Sequence, residues 1–223
     1  MIDTVLSSLH ASMRSLPGWA RGGACVIAAL AMAAPAFQQT SSGEPPTNPA
    51  DGFRFTSDGR LEYPAEYREW VFLSAGRGMT YGPSGNPNGP PLFDNVFVNP
   101  SAYRSFMATG HWPDRAIFVL EIRNAASEGS INKGGQFQKE IVAIEVEVKD
   151  GRRFTTTNGW GFFEFDSGHK PATQLDKSET CYSCHTANGA VEQTFVQFYP
   201  TLVDVATAHR TLKPNAGAHE ARH

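Results

Sequence analysis

Cys181, Cys184 and His185 form a CxxCH run within the stretch "SETCYSCHTANGAVEQTFVQFYP". Two thiols separated by two residues can each form a thioether with a vinyl group of haem, and the adjacent histidine then ligates the iron. The spacing therefore predicts one covalently attached haem c. Cys181 and Cys184 are the predicted attachment residues, and His185 is the predicted proximal ligand of the iron.

Two other kinds of site use closely spaced cysteines. A structural zinc site normally takes four protein ligands, and His169 would add only one to the run. A redox dithiol of the thioredoxin kind needs a βαβ setting, which the sequence does not predict here. Haem attachment is therefore the favoured interpretation.

The first 36 residues are typical of a secretory signal peptide. Arg14 and Arg21 precede the apolar stretch "ACVIAALAMAAPAF", which ends in small-x-small sites up to Ala36. The stretch is shorter than the roughly 20 residues that span a bilayer, so an uncleaved membrane anchor is the less favoured alternative. Cleavage would remove Cys25 and leave only the two cysteines of the CxxCH run, so we predict an exported protein.

Composition divides the rest of the chain into three parts. Residues 37–60 are rich in Ser, Thr, Pro and Gly and are predicted to be a flexible linker. Residues 61–205 are predicted to form one haem-binding domain, and residues 206–223 a C-terminal tail. The formal net charge is -3, and no Lys/Arg run exceeds Arg152–Arg153. Nucleic acid is therefore an unexpected partner.

The first part of the domain is predicted to contain two helices and a loop. Apolar residues recur at helical spacing over residues 65–73. Residues 76–92 are rich in Gly and Pro, which predicts a long irregular loop. A second helix is expected from Asn99 as N-cap, with Pro100 at the first helical position, to Gly110.

Strands follow the second helix. In "AIFVLEIR" residues 118, 120 and 122 share one face, and Ile117, Val119 and Glu121 share the other. In "IVAIEVEV" residues 142, 144, 146 and 148 share a core face, while Glu145 and Glu147 face water or a polar site. Asp150–Gly151 is predicted to be a two-residue hairpin turn. The predicted fold class is α+β: one domain with an antiparallel meander sheet, flanking helices and a C-terminal CxxCH.

The second axial position of the iron has four candidate ligands, namely Met79, Met107, His111 and His169. Small single-haem cytochromes usually place a ligating Met after the CxxCH, and none follows it here. We therefore expect an open or weakly filled distal position. A filled position would instead indicate an electron carrier.

The order of these segments resembles the cytochrome P-460 family, which includes the cytochrome c-prime-beta proteins. The likeness covers residues 61–203, including "VNPSAYRSFMATGHWPDRAIFVLEIR", "NGWGFFEF" and the CxxCH segment. It implies a periplasmic, usually dimeric protein with one haem c per chain, five-coordinate through His185. Family members oxidise hydroxylamine or bind nitric oxide and similar diatomic molecules.

The oxidising members carry a bond from a lysine to the haem edge, on the strand after the "WPD" segment. The matching strand here, "AIFVLEIR", has no lysine, and the first lysine of the chain is Lys133 in a Gly-rich turn. The resemblance therefore leaves enzymatic activity open.

Glu121 is the only carboxylate of that strand. If its face lined the distal pocket, Glu121 could act as a catalytic proton acceptor; the alternative is an exposed residue beside Arg123. Candidate apolar walls of the haem pocket are Phe118, Phe162, Phe163 and Phe165, and candidate propionate partners are Arg68, Arg115 and Arg123.

Three functions are consistent with this sequence. The favoured one is a periplasmic mono-haem c-type cytochrome that binds nitric oxide or a related small nitrogen compound at a five-coordinate iron. The second is a hydroxylamine oxidoreductase that passes electrons to a partner cytochrome. The third is a six-coordinate electron-transfer cytochrome c. The resemblance to the family implies a homodimer.

Overall fold

The computed structural model describes residues 51–80 and 91–214. Within these ranges the α-helices are α1 (Pro100–Thr109), α2 (Thr180–Asn188) and α3 (Pro200–His209). The strands are β1 (Val71–Arg77), β2 (Leu92–Val98), β3 (Ile117–Ala126), β4 (Phe137–Lys149) and β5 (Trp160–Phe165). Three short 3-10 turns cover Tyr67–Glu69, Thr155–Thr157 and Val196–Phe198.

The strands pair in chain order, each antiparallel to the next. This meander, flanked by helices, confirms the predicted α+β class. Side chains alternate across a strand, and β3 shows the predicted alternation. Phe118 packs on the helix side of the sheet, whereas Ile117 and Val119 pack on the opposite side.

A separate hydrophobic core covers each face of the sheet. The core on the helix side includes Phe106, Trp112, Phe118, Tyr182 and Leu202. The core on the opposite side includes Phe53, Leu61, Tyr67, Val119 and Phe163. The sheet is therefore buried on both sides, and only the helix side carries the CxxCH segment.

The packed part of the chain extends beyond the predicted boundaries at both ends. Phe53 is buried and Phe55 forms a β-bridge with Leu61, so residues 51–60 are not a flexible linker. Ala206 is also buried, and α3 continues past residue 205. Apolar side chains in these polar stretches explain the difference, because each fills a core. Residues 1–36, the predicted signal peptide, lie outside the described residues.

Helix α1 has the predicted bounds, with Pro100 at its start and Gly110 in the left-handed conformation after its last residue. The Asn99 side chain does not accept an N–H from the first turn of α1, as an N-cap would. Instead, Asp51 Oδ1 accepts the backbone N–H of Ser101 at 3.1 Å. Asn99 Oδ1 accepts the N–H of Ile117 at 3.0 Å, which ties the start of α1 to β3.

The predicted helix over residues 65–73 is wrong. Only the 3-10 turn Tyr67–Glu69 forms, and β1 begins at Val71. Pairing of β1 with β2 supplies the backbone hydrogen bonds that a helix would otherwise supply. The predicted loop is also shorter than residues 76–92, since β1 continues to Arg77 and β2 begins at Leu92. Residues 81–90 of that loop lie outside the described residues.

The predicted hairpin turn at Asp150–Gly151 is wrong as well. The connection between β4 and β5 occupies residues 150–159 and contains a 3-10 turn. Asp150 Oδ1 accepts the N–H groups of Arg152 and Arg153, both at 3.0 Å, which folds the chain away from a tight hairpin.

The register of β4 changes at Val142. Ala143 pairs with Ile122 and Ile141 pairs with Arg123, so Val142 is the extra residue of a bulge. Its side chain is 49% exposed and does not join the core face predicted for it.

None of the helices within residues 51–80 and 91–214 has the length and apolar character needed to span a membrane.

Candidate functional site

The CxxCH residues lie on α2. Cys184 is three residues after Cys181, and His185 is four residues after it, so the three side chains occupy one side of the helix. All three line a cavity of about 300 Å³ between α2 and the helix side of the sheet. Both cysteines are half-buried free thiols.

The cavity walls are largely apolar. The sheet contributes Val96, Phe118, Leu120 and Phe162, and the chain around α2 contributes Leu175, Phe195, Phe198 and Tyr199. Phe118 on β3 and Phe162 on β5 lie on either side of Glu147 on β4, since both residues pair with it. Strand pairing therefore fixes the sheet wall that faces the helix.

The imidazole of His185 is held by several contacts. Its Nδ1 lies 2.7 Å from the carbonyl oxygen of Gln193 and 3.1 Å from Oε2 of Glu147. The rings of Phe162 and Phe195 pack against it, with centroid distances of 4.6 and 4.4 Å. Burial lowers the pKa of His185, but Glu147 and the Gln193 carbonyl raise it by more, so the net pKa is raised. Because Nδ1 faces these acceptors, Nε2 is the nitrogen left to bind a metal.

The Gln193 carbonyl belongs to a turn that directly follows α2. Gly189 N–H donates to the His185 carbonyl at 2.9 Å, and Ala190 N–H donates to the Thr194 carbonyl at 2.8 Å. Trp112 Nε1 donates to Thr194 Oγ1 at 2.8 Å. The turn is thus tied both to the helix that carries His185 and to the segment between α1 and β3.

A second contact fixes the same turn to the sheet. Glu192 has a positive φ of 54° and pairs through Oε2 with Lys149 Nζ at 2.6 Å. Lys149 Nζ also donates to the Trp112 carbonyl at 2.6 Å. The residue beside Gln193 is therefore anchored at the end of β4.

Four carboxylates lie in the sheet wall of the cavity, namely Asp94, Glu145, Glu147 and Glu164. Burial raises the pKa of Asp94. Although the Glu145 side chain is accessible to solvent, partial burial and the neighbouring Glu164 raise its pKa. Glu147 is only 7% exposed, and no donor among the described residues makes a hydrogen bond to its Oε2.

The sequence contained a signal for two of these residues. The alternation of β4 predicts that Glu145 and Glu147 face water or a polar site, and in the structure they face the cavity. Nothing in the sequence pointed to Gln193, because its contribution is a backbone carbonyl whose position depends on the fold.

Met79 is the one candidate for the second axial ligand that the structure places at the cavity wall. It follows β1, and a Cβ at Gly76 would overlap its sulfur, so a larger residue at position 76 would have to move the Met79 side chain. Met107 is 41% exposed on α1. His111 lies 3.7 Å from Glu192, and the ring of His169 stacks on Tyr63 with a centroid distance of 3.9 Å.

The structure does not bring Glu121 to the cavity, because its face of β3 is the one opposite the helices. It is also not an exposed residue, since only 1% of it is accessible. Its carboxylate accepts hydrogen bonds from Tyr67 and Arg123 and pairs with Arg68. Burial raises the pKa of Glu121, but these contacts lower it by more, and the net pKa is below its usual value. Glu121 therefore belongs to a buried hydrogen-bonded cluster beside the opposite core.

The other predicted wall and propionate residues divide between the two faces. Phe118, Phe162 and Phe163 line the cavity, although Phe163 also packs in the opposite core, and Phe165 belongs to that core alone. Arg68 and Arg123 bind Glu121. Arg115 donates to the Phe53 carbonyl at 3.3 Å, so none of these three arginines lines the cavity.

The two alternative cysteine sites receive no support from the geometry. Among the described residues, no group of three or more His, Cys, Asp or Glu side chains is arranged to hold a metal ion. Burial and Glu145 raise the pKa of Cys181. A redox-active dithiol needs a lowered thiol pKa, because the thiolate is the reactive form.

Comparison with known protein families identifies the family of this chain. A family model described as cytochrome P-460 matches residues 64–196, which is more than half of the 223-residue chain. The class of protein is therefore a haem-binding cytochrome. The chain belongs to the cytochrome P-460 family, as its sequence predicts. No curated protein matches the chain.

Proposed function

We propose that the protein is an exported mono-haem c-type cytochrome that binds nitric oxide or a related small nitrogen compound. The observation that carries this proposal is the convergence of Cys181, Cys184 and His185 on one cavity, with Nε2 of His185 left to bind iron. The family supplies haem binding, and the cavity residues supply the covalent attachment.

The cavity residues fit a haem group. The thiols of Cys181 and Cys184 stand on the same side of α2 as His185, as two thioethers and a proximal ligand require. The apolar walls, among them Phe118 and Phe162, suit the faces of a porphyrin. Bound there, haem would supply an iron able to bind small diatomic molecules. The protein would supply the attachment, the orientation of His185 and a wall that excludes water.

Haem attachment is tested with the full chain produced in a host that matures c-type cytochromes. The intact mass of the exported protein should exceed that of the chain without its leader by one haem. A variant with both Cys181→Ala and Cys184→Ala should lack this added mass. A wild-type mass without haem would overturn the proposal. The same mass locates the end of the signal peptide, because the predicted cleavage lies near Ala36.

Oxidation of hydroxylamine is a second candidate for the same site. It is favoured by the cavity carboxylates Asp94 and Glu145, whose raised pKa suits proton acceptors for a bound substrate. The missing lysine on β3 counts against it. Electrons would have to leave to a partner cytochrome, so turnover with an artificial electron acceptor decides between catalysis and simple binding.

Electron transfer through a six-coordinate haem is a third candidate. It is favoured by the position of Met79 at the cavity wall, since a thioether is a known axial ligand of haem iron. A low-spin spectrum that does not respond to added nitric oxide would support it.

Periplasmic localisation and a homodimer complete the proposal. Export follows from the leader, and the dimer is what the family resemblance implies. Ile131, Phe137 and Val142 are exposed on the hairpin of β3 and β4, with accessible fractions of 90%, 40% and 49%. These apolar side chains offer a surface for a second copy, and sedimentation of the exported holoprotein measures the assembly.

A further inference from the structure

Glu147 occupies an unusual position for a carboxylate. It lies in the middle of the sheet on β4, paired with Phe118 on one side and Phe162 on the other. It is 7% exposed, and no lysine or arginine among the described residues forms an ion pair with it. A buried carboxylate is costly unless it is paired or hydrogen-bonded. Its closest titratable partner is His185, whose Nδ1 lies 3.1 Å from Oε2.

The position of Glu147 is fixed by the fold. Its neighbours in the register are cavity-wall residues, and the ring of Phe162 also contacts the His185 ring. Oε2 receives no hydrogen bond from any other donor in the described ranges. The carboxylate is therefore held against one side of the imidazole.

His185 has two acceptors for one proton. When Nε2 binds a metal, Nδ1 carries the only ring N–H. Nδ1 is hydrogen-bonded to the Gln193 carbonyl at 2.7 Å, and Glu147 Oε2 lies 3.1 Å from the same nitrogen. The carbonyl fixes the ring orientation through the turn after α2. A carboxylate adds negative charge, which makes a metal-bound imidazole a stronger donor to the metal.

We propose that Glu147 is a positioning residue that accepts the Nδ1–H of His185 and strengthens the bond from this histidine to the haem iron. This inference rests on the proposed function, in which His185 is the proximal ligand. Glu147 favours ferric over ferrous iron, because the added negative charge stabilises the more positive metal. Glu147 would also help His185 stay bound to the iron when nitric oxide binds.

The test uses the exported holoprotein and the variant Glu147→Gln, which keeps the size of the side chain and removes its charge. Resonance Raman spectra of the ferrous protein report the iron–histidine stretching frequency. Redox titration reports the reduction potential, and electron paramagnetic resonance reports whether the nitric oxide adduct keeps the histidine. The variant should show a lower stretching frequency, a higher potential and more five-coordinate nitric oxide adduct. The expected change in the oxidised-to-reduced ratio is on the order of tenfold, or about 59 mV for one electron.

Glu164→Gln is the matched control. Glu164 lines the same cavity from β5, and its removal also takes one negative charge from the wall. It makes no contact with Nδ1, so its removal should leave the iron–histidine frequency unchanged even if the potential rises. An equal frequency in wild type and Glu147→Gln would overturn the proposal, as would equal frequency changes in Glu147→Gln and Glu164→Gln.

A second variant guards against loss of folding. Glu147→Asp keeps the buried charge and withdraws the oxygens by one methylene, so the iron–histidine frequency should fall by less than in Glu147→Gln. An unchanged frequency in this variant, with haem bound, also contradicts the proposal when Glu147→Gln cannot be isolated. If His185 does not ligate a haem iron, so that the proposed function itself is wrong, the Raman spectrum of the wild type should show no iron–histidine band at all.

Discussion

At the scale of single residues, the orientation of His185 depends on side chains and a backbone carbonyl that lie outside the CxxCH run. Gln193 follows it by eight residues, whereas Glu147 and Phe162 come from the sheet. A CxxCH run can be recognised without the fold, because its chemistry resides in adjacent residues. The contacts that orient the histidine become visible only when the strands are paired.

Met79 provides a residue-scale prediction. In the five-coordinate account Met79 only lines the cavity, so Met79→Leu should leave the ferric holoprotein high-spin. Leu nearly matches Met in volume and should preserve the shape of the cavity, so we expect the affinity for nitric oxide to change by less than about tenfold, or about 1.4 kcal/mol. Met107→Leu is the control, since Met107 lies exposed on α1. A wild type that is low-spin and becomes high-spin only in Met79→Leu would establish Met79 as a ligand and contradict the account.

Glu121 provides a prediction about stability and pH. Its pKa is lowered in the folded protein, so its contribution to the free energy of unfolding is complete above the unfolded pKa near 4.5 and is lost as pH falls through the folded pKa. Glu121→Gln leaves the positive charges of Arg68 and Arg123 without their carboxylate. We expect a loss of about 3 kcal/mol at pH 7.

The loss caused by Glu121→Gln should shrink below about pH 4.5, because wild type then loses the same contribution. Urea unfolding of wild type and variant at several pH values measures it. Glu62→Gln is a suitable control, since Glu62 forms only an exposed pair with Arg54. A difference that does not depend on pH would show that the charge of Glu121 does not stabilise the fold.

At the scale of elements, the predicted and observed structures differ where tertiary pairing overrides local pattern. The alternation of β3 was sufficient to predict its two faces, and Pro100 with Gly110 was sufficient for α1. Residues 65–73 have apolar residues at helical spacing, yet only the 3-10 turn Tyr67–Glu69 forms and β1 begins at Val71, because β2 is available as a partner. The bulge at Val142 likewise depends on the register with β3.

The turn after α2 provides an element-scale prediction. A Cβ at Gly189 would lie 2.7 Å from the backbone carbon of Gln193 and 2.7 Å from the His185 carbonyl oxygen, so the backbone itself would have to shift. Gly189→Ala should lower the free energy of unfolding by about 1–3 kcal/mol. It should also change the iron–histidine frequency of the ferrous holoprotein, because the Gln193 carbonyl moves.

Gly134→Ala is the control for this change, since nothing in the described structure lies within 4 Å of a Cβ at Gly134. Chemical unfolding and resonance Raman spectra of the two variants are compared with wild type. Gly189→Ala with wild-type stability and an unchanged frequency would show that the turn does not control the histidine.

At the scale of the whole molecule, the sheet separates two tasks. The face opposite the helices carries an aromatic core and the buried Glu121 cluster, against which Phe53, Leu61 and Tyr67 pack. The helix-side face forms the wall of the cavity that contains His185. A carboxylate in a strand could serve either task, and the alternation of β3 could not decide which face meets the helices. That choice is made by the chain connections, and it explains why Glu121 is a candidate from sequence although it lies in the opposite core, while Glu147 is predicted only to face water or a polar site.

The central claim is a His185-ligated haem c whose iron accepts a small ligand. The most direct test is the absorption spectrum of the exported protein, oxidised and reduced, with and without nitric oxide, followed by the spectrum of the denatured haem. The account predicts a high-spin spectrum that shifts when nitric oxide is added, together with an ordinary c-type spectrum after denaturation. A low-spin spectrum that nitric oxide does not change would contradict it.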